Sequence, residues 1–148
     1  MSLLDQIEQD IISAMKEKQE IKVSTLRMLK SALKNKEIQN KEELSDENVI
    51  QVLQGQIKAR KDSIEMYEKG GRAELAQKEE EEIEILKKYL PEQLSQEEIK
   101  IKVDQIIQEI GAQSIQDMGK VMGKASAEFK GKADMSEVSQ IVKTSLTK

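Results

Sequence analysis

Cysteine, histidine and tryptophan are absent from this sequence, and proline occurs once in 148 residues. Without cysteine there is no disulfide, no thiolate nucleophile and no thiolate metal site, and the redox compartment is left undetermined. Without histidine the commonest general base and the commonest transition-metal ligand are lost together. Aromatic residues are limited to Tyr67, Tyr89 and Phe129. Long apolar runs are missing as well. The opening stretch MSLLDQIEQD turns acidic after four residues, and nothing in it has the length of a signal peptide or a membrane span. A cytosolic location away from membranes is the expectation.

What is present points to helices. Hydrophobic residues make up 37% and charged residues 35% of the chain, a balance suited to a helical protein with heavily charged surfaces. The length suffices for one ordinary domain or two small ones. A division is visible at Pro91, which disfavours α geometry in the residue before it, and at Ser95 with Glu98, which have the spacing of a capping box. These features predict an all-α protein with an N-terminal four-helix domain, a bundle or helical hairpins, over residues 1–93 and a small three-helix domain over 94–148. The first part holds 16 basic and 20 acidic residues and the second 8 of each, so net charge gives no argument for nucleic-acid binding.

Upstream, the spacing predicts a helix opening at Ser2, paired with Asp5, that presents Leu4, Ile7, Ile11 and Met15. A second helix spans about Ser24 to Asn40 with Leu26, Leu29 and Leu33 inward. A third opens at Ser45, carries Val49, Leu53, Ile57 and Ile64, and stops at Gly70-Gly71. The fourth carries Leu75, Ile83, Leu86 and Leu90. Downstream, Ile99, Val103, Ile106 and Ile110 line a helix that ends at Gly111. The next opens at Ser114, answered by Asp117, with Ile115, Met118, Met122, Ala125 and Phe129 on one face and Gly131 as its stop. The last opens at Asp134 with Glu137 and buries Val138, Ile141 and Val142.

Two glycines inside one of these helices call for a reason. Gly119 and Gly123 lie one turn apart on the same side, flanked by Lys120 and Lys124, and each interior glycine costs about 0.5–1 kcal/mol relative to alanine. A glycine notch admits either a packed neighbouring helix or a ligand backbone, such as a nucleic-acid phosphate, while the lysines supply charge. Both readings stand on the sequence.

Three charged features have plain and functional readings. Arg27, Lys30, Lys34 and Lys41 recur at helical spacing, with Glu37 interrupting, as a phosphate-tracking strip or as a solvated face paired with the acidic fourth helix. Glu79 to Glu82 has the acidity to gather a hard cation, but consecutive helical residues point around the cylinder, so a solvated face is expected and no metal site. Arg60, Lys61 and Arg72 form a smaller basic cluster near the Gly70-Gly71 turn, among mixed acids.

The run QDMGKVMGKASAEFKGKADMSEVSQIVKTSL resembles the tail of the GatB/YqeY domain family, the domain that closes the B subunit of the glutamine-dependent aspartyl/glutamyl-tRNA amidotransferase. The Gly-Lys-Val-Met-Gly pattern at Gly119–Gly123, the Gly-Lys-Ala-Asp at Gly131–Asp134 and the final short helix at Ser136–Leu146 carry it. TLRMLKSALKNKEI at 25–38, YEKGGRAELAQKEEEEIEIL at 67–86 and YLPEQLS at 89–95 resemble the free-standing YqeY type, so the likeness spans essentially the whole chain. It implies a helical N-terminal domain joined to a three-helix tail, and a tail that holds tRNA while chemistry occurs elsewhere.

No Gly-rich ATP site, no amidase Ser-Ser-Lys arrangement and no metal-ligand cluster accompanies these motifs, so no catalytic residue and no cofactor is expected. A tRNA-associated, non-catalytic helper is the leading reading, with tRNA or a protein of the translation or tRNA-charging machinery as partner. Its nucleic-acid contacts would be Gly119, Lys120, Gly123, Lys124, Lys130 and Lys132, with Arg27, Lys30 and Lys34. The low aromatic content and acidic balance weigh against RNA in general, although folded RNA can be read by shape and phosphates. The alternatives are a carbon–nitrogen ligase or amidase-like enzyme with glutamine as amide donor, implied by the family label alone, and a protein–protein adaptor that uses the notch for a partner helix.

Overall fold

The computed structural model describes residues 2–147, and it is all-α over them. Seven α-helices and one 3-10 turn are present among these residues, with no strand. Contacts divide the chain into two compact units, the first running to Leu90 and the second beginning at Pro91.

The first unit contains α1 (Leu3–Lys16), α2 (Glu20–Asn40), α3 (Asp46–Lys69) and α4 (Ala73–Lys87). Ser2 caps α1, its Oγ accepting the Asp5 amide at 3.2 Å. Ser45 and Asn48 form a full capping box on α3, with the Asn48 amide donating to Ser45 Oγ at 3.2 Å, so free donors at both helix starts are satisfied. Ile7, Ile11, Leu26, Leu29, Leu33, Val49, Leu53, Ile57, Ile83 and Leu86 close one core. Contacts from Met15 to Arg27 and from Glu8 to Lys30 run in opposite chain order, which makes α1 and α2 an antiparallel hairpin. The Leu3 amide donates to Asp46 Oδ1 at 3.0 Å, pinning the start of α1 to that of α3. The buried Tyr89 hydroxyl donates a short hydrogen bond to Asp10 on α1.

Two details of the first unit depart from the sequence pattern. Met15 is 51% exposed and Ala14 is fully buried in its place. Helix α2 begins four residues before Ser24, at Glu20, because Lys18 turns the chain through the left-handed region (φ 58°) and Gln19 caps without its side chain. A cap of that kind leaves no residue-type signal, and Ser24 instead donates to the Ile21 carbonyl from within the helix.

The second unit contains α5 (Gln96–Ile110), a 3-10 turn (Ile115–Asp117), α6 (Met118–Phe129) and α7 (Met135–Leu146). Ser95 and Glu98 form the capping box of α5, and Gly111 ends that helix with φ 68°. Gly131 makes the turn after α6 with φ 76°, a region that L side chains adopt at a cost. Ahead of α5, the Leu94 amide donates to the Lys132 carbonyl at 2.9 Å and Gln93 Nε2 donates to the Gly131 carbonyl at 2.8 Å. These bonds tie the entry segment to the turn between α6 and α7. The core comprises Ile99, Val103, Ile106, Val121, Ala125, Phe129, Ala133, Val138, Val142 and Leu146. Phe129 is fully buried at its centre, where truncation to alanine typically costs about 3–5 kcal/mol.

Helix α6 starts later than the Ser114 signal implies. Ser114 and Asp117 do form a box, but on the 3-10 turn. The tighter turn shifts the phase of the chain. Ile115 is therefore 43% exposed, and fully buried Val121 takes a core position absent from the predicted face.

Candidate functional site

The open face of α6 is built from what its apolar face leaves over. Val121, Ala125 and Phe129 point into the core, with Met118 and Met122 half-buried beside them. At about 100° per residue, Gly119, Gly123, Ala127 and Lys120 fall away from the core-facing side, and all four are exposed. A Cβ added at Gly119 or Gly123 would meet nothing within 4 Å. Among the described residues of this unit no neighbouring helix occupies the notch, so helix packing within the unit does not account for the two glycines.

The lysines around this face differ in status. Lys120 is exposed one step round the helix from Gly119. Lys124 is engaged by Glu109 of α5 in a short ion pair, and that hydrogen bond, above all, raises the ammonium pKa. Lys130 is the C-cap of α6, and Lys132 lies beyond Gly131. Both are exposed at the end of the helix whose dipole favours cations. At the other end, Asp117 accepts the amides of Gln113 at 2.9 Å and Ser114 at 3.3 Å. Those two bonds, Gln113 first, hold its carboxyl below the usual range. Of the predicted set, the structure gathers Gly119, Lys120 and Gly123 on one open face and commits Lys124 to a partner within the protein.

Arg27, Lys30 and Lys34 belong to α2 in the first unit, where each is described on its own. Arg27 Nη2 lies 3.5 Å from Met15 Sδ, Lys30 pairs loosely with Glu8 at 3.8 Å, and Lys34 is exposed. Lys41 leaves the strip, since it caps α2 with φ 56°. The expected pairing of the strip with α4 is not seen among the described ion pairs; Lys30 turns to α1.

The acidic run is not uniformly solvated. Glu82 is buried, and its Oε2 accepts from Arg60 Nε at 3.0 Å, with Glu79 at 3.9 Å from the same nitrogen. Arg60 is 5% exposed and its Nη1 also donates to the carbonyl and side chain of Gln56. Partial burial, then the neighbouring Glu82 charge, pushes the Glu79 carboxyl up. Arg60 is thus a core residue of the α3–α4 hairpin rather than part of a surface basic cluster. The sequence hint was available: positions 60 and 82 continue the apolar stripes of Val49-Leu53-Ile57 and Ile83-Leu86 at helical spacing. Among the described residues no group of acids gathers as a metal site, and no helix is long and apolar enough to cross a membrane.

The fold defines a class: small proteins that are all-helical over the described residues. The match to Yqey-like proteins extends over residues 4–146, and the chain belongs to that family. It is 38% identical over 107 residues to "Altered inheritance of mitochondria protein 41, mitochondrial" of Lachancea thermotolerans, covering 70% of this chain and 57% of that protein. The protein of the same name in Kluyveromyces lactis is 39% identical over 108 residues, covering 70% and 58%. An uncharacterised protein of Schizosaccharomyces pombe is 36% identical over 89 residues, covering 60% and 72%. The chain thus spans under three fifths of the length of the first two relatives. Their names carry the word mitochondrial, which overturns the cytosolic expectation drawn from the opening residues.

Proposed function

We propose that this protein is a tRNA-associated, non-catalytic helper whose second unit docks on folded RNA through the open face of α6. One observation carries the reading: two glycines lie inside a twelve-residue helix with open space where their side chains would be. Each weakens α6 by about 0.5–1 kcal/mol, and no packed neighbour offsets that cost. A partner that must approach the helix backbone closely would explain it. Lys120 and Lys132 then supply charge to the phosphates, and Lys124 joins them only on release from Glu109. Membership of the Yqey-like family supports this reading through the family's likeness to the amidotransferase tail. We further propose that the two units fold as separate domains, the second acting as the RNA-facing module.

The test is a titration of the intact protein with unmodified tRNA at several salt concentrations. Lys120→Glu with Lys132→Glu should weaken binding and flatten the salt dependence, since each phosphate contact contributes about 0.7–0.9 to the logarithmic slope. Helix content should be unchanged, because exposed charges add little to folding. Unaltered binding by this variant would remove the α6 face from the proposal.

A further inference from the structure

The first unit carries a second surface of different chemistry. A trough runs along the outside of the α1–α2 hairpin, with Ile11, Met15 and Val23 as its floor. Lys18 stands at one end, Arg27 in the middle, and Lys30 and Lys34 at the other end. Two grooves meet at Arg27, which contributes to both. From Ser24 to Lys34 the α2 rim extends roughly 15 Å, at about 1.5 Å per residue, enough for about three turns of a docked helix.

We propose that this trough docks an acidic amphipathic helix of a partner protein. The chain as a whole has net charge −4, yet the trough sets four cations against the two carboxylates Glu8 and Glu20. Its floor is apolar and includes a half-exposed methionine, a side chain that adapts to varied apolar knobs. An amphipathic helix satisfies both properties, laying apolar side chains at i, i+3, i+4 and i+7 on the floor and acids against the rim. An RNA backbone fits less well: it would desolvate Met15 and Val23 without an aromatic ring to stack on. Lys18 adds a local sign. It is held at φ 58°, where glycine would be unstrained, so a cation is kept at the mouth of the trough at some cost to the turn. The inference uses residues of the first unit only and stands whether or not α6 binds RNA.

The test uses a labelled synthetic helix of about 14 residues with leucines at those positions and glutamates on the flanks, a twin with every glutamate changed to lysine, and tRNA, each titrated by fluorescence anisotropy. The glutamate peptide should bind saturably and at least about tenfold more tightly than its lysine twin, with affinity falling as salt rises. Arg27→Glu with Lys34→Glu should weaken it about tenfold or more, and Met15→Glu should do likewise through the floor, both with unchanged circular dichroism. Equal binding of the two peptides, or no saturation by about 1 mM, would overturn the proposal. So would loss of tRNA binding without loss of peptide binding in Arg27→Glu/Lys34→Glu, which would give the strip to RNA. Sedimentation showing a dimer that the same variant dissolves would also overturn it, by giving the trough to a second copy of the chain.

Discussion

Two buried hydroxyls behave in opposite ways. Thr25 is fully buried in α2, and its Oγ1 has no hydrogen-bond partner among the described residues. Such an atom carries its desolvation cost uncompensated. Thr25→Val keeps the shape and removes the oxygen, and urea denaturation should show a gain of about 1 kcal/mol. Tyr89 is buried too, but its hydroxyl is held by Asp10. Burial first, and the Asp10 bond and charge after it, raise its pKa well above 10.0. The neutral phenol is therefore favoured by folding. Its contribution is fully present below the unfolded tyrosine value near pH 10 and is lost as pH rises from there toward the folded value. Alkaline denaturation of the intact chain should show this limb, and Tyr89→Phe should flatten it. An unchanged profile would mean that neither burial nor the Asp10 bond raises the phenol pKa in the folded chain.

At the scale of elements, the α3–α4 hairpin rests on a buried ion pair. Glu82→Ala leaves Arg60 charged in the core with only the 3.9 Å contact to Glu79 as an acidic partner, a loss expected at up to about 3–5 kcal/mol by chemical denaturation, whereas replacing Arg60 and Glu82 together by Met and Leu should cost far less. Glu79 stands in a weaker position, with its carboxyl pushed up by burial and by Glu82. These elements also mark what the sequence made legible. Helix ends set by side chains could be read: Ser2, Ser45 and Ser95 cap where their types imply, and Gly111 and Gly131 turn left-handed where stops were placed. Ends set by backbone alone could not, as at Gln19 before α2. Core faces were legible along their centre lines and blurred at the flanks, because an apolar stripe is wide. Hence Ala14 and Val121 replace Met15 and Ile115 inside. The Arg60–Glu82 pair lies in register with the apolar stripes, but residue type outweighs that register, since a run of four glutamates reads as solvent-facing until a facing helix is known. At the candidate site, the notch was visible in Gly119 and Gly123, but only the structure distinguishes exposed Lys120 from Lys124, which is paired with Glu109.

For the whole molecule, the division at Leu90 and Pro91 leads to a prediction about fragments. Residues 91–148 made alone should retain their helices and melt cooperatively. A fragment opening at Ser95 lacks the bonds from Leu94 to Lys132 and from Gln93 to Gly131, and should be less stable by about 1–3 kcal/mol. An unfolded 91–148 fragment, with the intact chain melting in a single step, would mean that the units are not separate domains.

The central claim is that the open face of α6 is kept open for a partner. It is tested most directly by Gly119→Ala with Gly123→Ala, measured for thermal stability and tRNA affinity on the same preparation. Each alanine enters open space on a helix, so stability should rise by up to about 1 kcal/mol per site, while tRNA affinity falls because two methyl groups now stand where the backbone was accessible. A variant that is more stable and binds tRNA as tightly as the parent, or a parent that binds no tRNA at all, would contradict the account.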